Sequence, residues 1–191
     1  EKVVEKLMAN IKGAETICHA FSKDPVNLST GNFIYDRTDL EVGGREPFVF
    51  RRFYNAINGR EGVLGKDWNH NYEVHLEFTD GEAVLLREDG KEERFFWEKD
   101  RYLSLFASEG TLEKAEDGYT YRTREQKVYR FDREGMCLET ETLLGGRVTF
   151  TYETEAPFRL VKAEKDTGEF FAFSYGADGM LERVEDHVGR C

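Results

Sequence analysis

Val148-Thr149-Phe150-Thr151-Tyr152 alternates apolar and polar residues without interruption. That period of two belongs to a strand with one face in a core and one in water. Its aromatic–x–aromatic ending recurs as Tyr129-Arg130-Phe131 before it and Phe173-Ser174-Tyr175 after it, with the last aromatics spaced by 21 and 23 residues. A unit of that length is one strand–turn–strand hairpin, which cannot bury its apolar face alone and must stack on neighbours.

The hairpin signal spreads outward from this stretch. Val74, Leu76 and Phe78 alternate with Glu73, His75 and Glu77, and Asp80-Gly81, Asp89-Gly90, Asp117-Gly118 and Asp178-Gly179 are pairs suited to tight two-residue turns. Glu109-Gly110, Glu134-Gly135, Gly145-Gly146 and Thr167-Gly168 punctuate the intervals. Short strands are predicted over 32–39, 48–55, 83–87, 92–97, 119–123, 128–131, 148–153, 160–164, 170–175 and 181–185. No interval holds a crossover helix, so parallel βαβ architecture is excluded. The fold class expected is mostly β, an antiparallel hairpin ribbon or meander. One short N-terminal amphipathic helix is predicted over residues 1–12, where Val3, Val4, Leu7, Met8 and Ile11 form one stripe ending at Gly13.

Composition agrees. The chain has 191 residues, 14% of them aromatic, which separates it from a disordered polar chain of similar charge. A net charge of −11 with interspersed signs offers no basic footprint for nucleic acid. No apolar run approaches the roughly 18 residues of a membrane span, and no charged-then-apolar leader follows Glu1. Cys18, Cys137 and Cys191 lack the spacing of a zinc site or the density of a disulfide scaffold, and read as small apolar residues.

Candidate chemistry is sparse. His70 and His75 lie an odd number apart on a predicted strand and so face opposite ways; His70, in Trp-Asn-His-Asn-Tyr, reads as a hydrogen-bonded structural histidine. Cys18-His19 resembles a nucleophile–base pair only in composition, and the turn aspartates lack the spacing of a calcium loop. Glu92-Glu93 and Glu98 to Asp100 read as a solvated, sign-mixed face. The aromatics around Trp97 and Tyr102 read mainly as packing between hairpins. No catalytic, cofactor or metal residue is assigned, and no cofactor is expected.

Several segments together resemble the Rhs/YD-repeat family. Tyr129-Arg130-Phe131-Asp132-Arg133-Glu134-Gly135 is similar to the first half of its repeat unit, and Gly179-Met180-Leu181 with Asp186-His187-Val188-Gly189-Arg190 to the second half. Tyr175 ends the aromatic triplet of the third unit, which runs on through Gly179 to Arg190. Glu153 and Gly176 depart from the repeat aspartate. Upstream, Asp24-Pro25-Val26-Asn27-Leu28-Ser29-Thr30-Gly31-Asn32, then Arg51-Arg52-Phe53-Tyr54-Asn55, then Leu64-Gly65 with Trp68, His70 and Tyr72, follow in the family's order.

The resemblance implies a structural scaffold and no enzyme: a ribbon of hairpins wound into a shell around a C-terminal toxin domain in a secreted, cell-surface or delivered polymorphic toxin. The implied organisation is a helical lead-in over 1–22, an Rhs N-terminal β region over 23–125 and degenerate repeats over 126–191, cut from a longer ribbon. Implied partners are downstream shell repeats and the enclosed toxin of the same protein, with possible self-association through strand edges, no nucleic acid and no membrane insertion. A cell-surface adhesion or glycan-binding module built from the same repeats is the alternative.

Overall fold

The computed structural model describes residues 26–27, 31–79, 81–104 and 110–191. The predicted N-terminal helix, and Asp24, Pro25 and Thr30 of the upstream motif, lie outside the described residues. Everything described is strand, turn or loop. In chain order the strands are β1 (Val26–Asn27), β2 (Asn32–Val42), β3 (Phe48–Asn55), β4 (Glu61–Gly62), β5 (Gly65–Lys66), β6 (Trp68–His70), β7 (His75–Thr79), β8 (Glu82–Leu86), β9 (Glu92–Glu98), β10 (Arg101–Ser104), β11 (Gly110–Ala115), β12 (Gly118–Thr123), β13 (Val128–Phe131), β14 (Cys137–Glu141), β15 (Arg147–Tyr152), β16 (Leu160–Lys165), β17 (Phe170–Tyr175) and β18 (Leu181–Asp186).

β11 to β18 form one eight-stranded sheet in which each strand pairs antiparallel with its neighbour in sequence. Two smaller sheets cover its apolar face. β10-β9-β8-β7 supplies Leu76, Ala83, Leu85 and Phe95, with Val74 just before β7, to a core shared with Leu112, Tyr121, Tyr129, Phe131 and Cys137 of the long sheet. β1-β2-β3-β6 supplies Phe48 and Phe50, with Tyr72 beside them, to a second core with Leu160, Ala163, Phe171 and Phe173. Phe150, from the stretch that announces the fold, packs against both. The expected division at 125/126 falls in the turn between β12 and β13, two paired strands of one sheet.

The repeat is visible as geometry. Register slips just before Phe131, Tyr152 and Tyr175, the last aromatic of each unit, a bulge that re-aims the ring. Two of these residues then make the same bond. The Tyr152 hydroxyl donates to the Cys137 carbonyl and the Tyr175 hydroxyl to the Leu160 carbonyl, both at 2.8 Å and both fifteen residues back. Cys137 is the cross-strand partner of Phe131, and Leu160 of Tyr152. Each tyrosine thus ties its hairpin to the one before, and burial raises both phenols well above the ordinary range.

The turns also recur. Asp132 N–H donates to Met136 O while Gly135 N–H donates back to Asp132 O, and the same pair of bonds closes 87–91, 123–127, 142–146, 165–169, 176–180 and 186–190. The fourth residue of each is left-handed, glycine in six and Gln126 (φ 66°) in one. These are three-residue loops with a left-handed closing residue, so Asp89-Gly90 and Asp178-Gly179 do not occupy the two-residue turns expected of them. The two-residue register holds around Gly81, where Thr79 pairs Glu82. At 117–118 the glycine is already the first strand residue, paired with Ala115.

Asp132 Oδ1 accepts from Glu134 and Met136 N–H, and Asp186 Oδ1 from Val188 and Arg190 N–H. The departures at the other units are compensated. Where Gly176 stands for the aspartate, Asp178 Oδ1 accepts from Met180 N–H. Where Glu153 stands, it receives Arg159 Nε at 2.9 Å and Nη2 at 2.8 Å across a turn closed by Glu153 N–H to Arg159 O. That turn is two residues longer than the Asp132–Met136 turn, which accounts for 23 rather than 21 residues between aromatics.

Three readings need correction. Glu92 and Glu93 are buried, not a solvated face, because β8 and β9 are covered on both sides. His70 and His75 sit on different strands, since Asn71 to Val74 break the expected one. Cys137 is buried as expected, but Cys191 is exposed.

The tyrosine bonds predict stability effects. Tyr152→Phe and Tyr175→Phe should each cost about 1–2 kcal/mol, because each leaves a part-buried carbonyl without its donor. Urea unfolding with unchanged m-value is the measurement.

Candidate functional site

The described motif residues do not form one site; they occupy four places. Tyr129, Asp132 and Gly135 lie at the β13–β14 turn beneath β7. There Leu76 N–H donates to Gly135 O at 2.8 Å, and a methyl group on Gly135 would collide with the Leu76 carbonyl. Tyr175 and Gly179 lie at the β17–β18 turn, and Leu181 N–H just after it donates to Val63 O at 2.7 Å. Asp186, Gly189 and Arg190 close the last turn, where Arg190 Nε donates to Asp186 Oδ2 at 2.6 Å and Nη2 to Glu41 O at 3.0 Å. The last turn of the long sheet is therefore anchored to β2 through Arg190.

The fourth place gathers the upstream motifs: Gly31, Asn32, Tyr54, Trp68, His70 and Tyr72. It is built by the segment from Ala56 to Tyr72, which holds the short strands β4, β5 and β6. Gly31 turns the chain with φ 69° into β2. Asn32 Nδ2 donates to Asn55 Oδ1 at 2.9 Å, and Asn55 Nδ2 donates to Asp89 O at 3.1 Å in the β8–β9 turn. Asn58 Nδ2 donates to Asn69 Oδ1 at 3.1 Å, and Gly59 N–H donates to Asp67 Oδ1 at 2.8 Å. Asn71 exchanges bonds with Arg51 N–H and Val49 O, and the Tyr72 hydroxyl donates to the same carbonyl at 2.7 Å. Asn32, Asn55, Asn58, Asp67 and His70 are all buried. Side-chain amides suit this task because each offers donors and an acceptor to backbone that has left the strand ladder.

Arg60 extends the clasp to the second covering sheet. Its guanidinium is bidentate on Glu77 at 2.9 and 3.1 Å and reaches Glu92 Oε1 at 3.2 Å, while Arg94 holds the other Glu92 oxygen at 3.0 Å. His75 beside Glu77 pulls that carboxyl down to about 2, against its partial burial and with help from Arg60. On the opposite face Glu93 accepts from Arg87 Nη1 at 2.8 Å and from the Tyr121 hydroxyl at 2.9 and 3.1 Å. Burial opposes the Arg87 charge, yet Glu88, Tyr121, Tyr129 and Glu93 together raise its pKa.

His70 is the most enclosed member. Its ring stacks on Phe173 at 5.6 Å and lies 5.4 Å from Phe50, and Nδ1 accepts from Tyr72 N–H at 3.3 Å. Burial lowers its pKa, with Glu73 at 3.9 Å opposing. A neutral histidine stacked in an aromatic core locks a loop. Among the described residues, no group of three or more His, Cys, Asp or Glu side chains is placed to hold a metal ion, and no helix is long and apolar enough to cross a membrane.

The sequence motifs include Asn32, His70, Tyr72 and Tyr152, misplace Glu92 on a solvated face, and pass over Asn58, Asp67, Asn69 and Arg60. The signal available was the density of asparagine between 55 and 71, where the chain has no strand periodicity.

Residues 23–95 match a family model described as a domain of unknown function, DUF6531. The chain is 34% identical over 131 residues to "Probable deoxyribonuclease RhsB" and 30% to "Probable deoxyribonuclease RhsA", both of Dickeya dadantii (strain 3937), covering 65% of this chain and 9% of each relative. The chain carries an Rhs-type N-terminal region. It is also 28% identical over 116 residues to "tRNA nuclease WapA" of Bacillus subtilis (strain 168), 60% of this chain and 5% of that protein. The chain thus spans less than a tenth of the length of the curated relatives it matches. Within the Rhs-type region, the 23–95 match takes in the amide clasp and both strands that Arg60 bridges, Glu77 on β7 and Glu92 on β9.

The buried histidine carries a pH prediction. Its folded pKa lies below the unfolded value of about 6.5, so the stability of neutral His70 is fully present above that value. It is lost progressively as pH falls below it, because only the unfolded chain takes up the proton. The urea midpoint should decline from pH 7.5 to 5.5, and His70→Gln, from a lower baseline, should show a shallower decline.

Proposed function

We propose that this chain is a non-catalytic scaffold, the N-terminal part of a β-shell that encloses a C-terminal toxin domain in a delivered or secreted Rhs-type polymorphic toxin. The observation that carries this reading is the eight-stranded meander built from one recurrent hairpin. A unit that pairs only with its sequence neighbours extends without altering what precedes it. The two covering sheets give the first hairpins the apolar partner that they cannot supply themselves.

The printed names of the relatives, deoxyribonuclease and tRNA nuclease, belong to much longer proteins, and we assign such activity to parts beyond this chain. Two features support that assignment: a net charge of −11, and the engagement of His70, Glu92, Glu93 and Arg87 in buried structural pairs. Downstream repeats would pair on the edge of β18, and the toxin domain would lie within the shell. Residues 1–22, 23–125 and 126–191 would serve as lead-in, opening β region and first degenerate repeats.

A second reading, glycan or cell-surface adhesion, has one observation in its favour. Trp97 is 43% exposed, has Tyr102 at 4.9 Å, and borders a cleft of about 630 Å³ with Asp100, Arg101 and Lys114 on its rim. Binding of this chain to a glycan array, abolished by Trp97→Ala, would favour adhesion over the scaffold.

The test uses the full-length protein. Limited proteolysis should leave a C-terminal domain that stays with the shell under native conditions and separates only in denaturant. The 191-residue chain alone should cleave neither DNA nor tRNA. Cleavage by this chain that persists through purification and is lost on one side-chain substitution would overturn the proposal, as would a full-length protein without a C-terminal domain beyond its repeats.

A further inference from the structure

The apolar face of the β1-β2-β3-β6 sheet outruns its cover. Along β3, Phe48 and Phe50 lie beneath the long sheet, with Phe48 stacked on Phe171 at 4.4 Å and Phe50 6.0 Å from Phe173. The same face continues through Arg52 and Tyr54, because alternate residues of a strand share a face. Cross-strand pairing sets Tyr35 opposite Tyr54 and Trp68 on its other side. Phe33 lies 5.9 Å from Tyr54, Tyr54 lies 5.2 Å from Trp68, and Trp68 lies 6.4 Å from Tyr35, with the Arg52 guanidinium 5.5 Å above Trp68. None of these four rings belongs to either core, and Phe33 and Tyr35 are 40% and 43% exposed. A contiguous aromatic surface of this kind marks a contact site.

We propose that this face is the docking site for the chain's own N-terminal segment, through the stripe Val3, Val4, Leu7, Met8 and Ile11. Three arguments converge on that occupant. The first is tethering. β1 pairs antiparallel with the start of β2, Val26 opposite Phe33, which tethers residues 1–12 beside this face. The second is reach. The residues between Ile11 and Val26 can span up to about 45 Å. A twelve-residue helix is about 18 Å long, comparable with the roughly 14 Å from Phe33 to Arg37 along β2. The third is competition. A tethered segment acts at an effective concentration near millimolar, which a second copy in dilute solution does not match. The stripe needs such a partner, since a helix of three turns is marginal alone, and the scaffold proposal gives these residues no other surface.

The test places a photoreactive p-benzoylphenylalanine at Tyr35 of the whole chain and maps the cross-linked peptides. Cross-links within one chain to residues 1–12 are expected. Cross-links between copies that grow with concentration would assign the face to a second copy and overturn the proposal, as would any pattern that leaves residues 1–12 untouched. A second readout uses Trp97→Phe, which leaves Trp68 as the sole tryptophan. In that background Leu7→Asp should shift Trp68 emission to longer wavelength and raise its quenching by acrylamide, with the strand circular dichroism unchanged. Unchanged emission and quenching would overturn the proposal equally.

Discussion

One long apolar face needs two covers, and that constraint organises the molecule. An eight-stranded antiparallel meander places every second side chain on one side, and those side chains must leave water. The first half of the face is covered by β7 to β10 and the second half by β2, β3 and β6. A seam between two covers is a place where backbone would meet backbone without a ladder. The segment from Ala56 to Tyr72 fills that seam with amide side chains, and Arg60 spans from it to Glu77 and Glu92 on the neighbouring sheet. A buried polar network of this kind contributes most by fixing one arrangement of its parts. It is costly when any member is lost.

The repeats carry a second logic. A hairpin stacked on a hairpin is held by ladder bonds that are the same everywhere, which leaves register weakly specified in a two-sided polar strand. The bulge and the tyrosine hydroxyl remove that freedom. Tyr152 and Tyr175 each reach the carbonyl of the first residue of a strand in the preceding unit, a bond that a one-residue slip would break. Phe131 has no hydroxyl, and it begins the series. The turn aspartate is replaceable by two different means, the Glu153–Arg159 pair and the Asp178 side chain. Both means satisfy a turn N–H, that of Arg159 by Glu153 Oε2 and that of Met180 by Asp178 Oδ1, which explains how a degenerate repeat keeps its shape.

Much of the meander was legible. β3, β13 and β17 run from Phe48 to Asn55, Val128 to Phe131 and Phe170 to Tyr175 as their periodicity predicts, because alternation and glycine turns are local properties. β14 was not legible. Its residues, Cys-Leu-Glu-Thr-Glu, bury only the first, and its pairing is dictated by β13 and β15 on either side. Glu92 and Glu93 were misread for a related reason. Adjacent carboxylates look solvated until two layers enclose the strand and supply Arg60, Arg94, Arg87 and Tyr121 from distant parts of the chain. The clasp was half legible: its motif residues stand out in sequence, whereas its amide pairings join residues up to 34 positions apart.

The outer face of the meander shows how a net charge of −11 is compatible with a tall stack of strands. Arg130 binds Glu139 and Glu141 on the next strand, and Lys162–Glu164 and Arg183–Glu185 pair within β16 and β18. Each exposed pair is worth little on its own. Their arrangement matters more than their energy, since a charged, paired outer face and a charged last strand discourage uncontrolled edge-to-edge growth. Glu182, Arg183 and Glu185 on β18 would still admit a continuation that brings complementary charges in register.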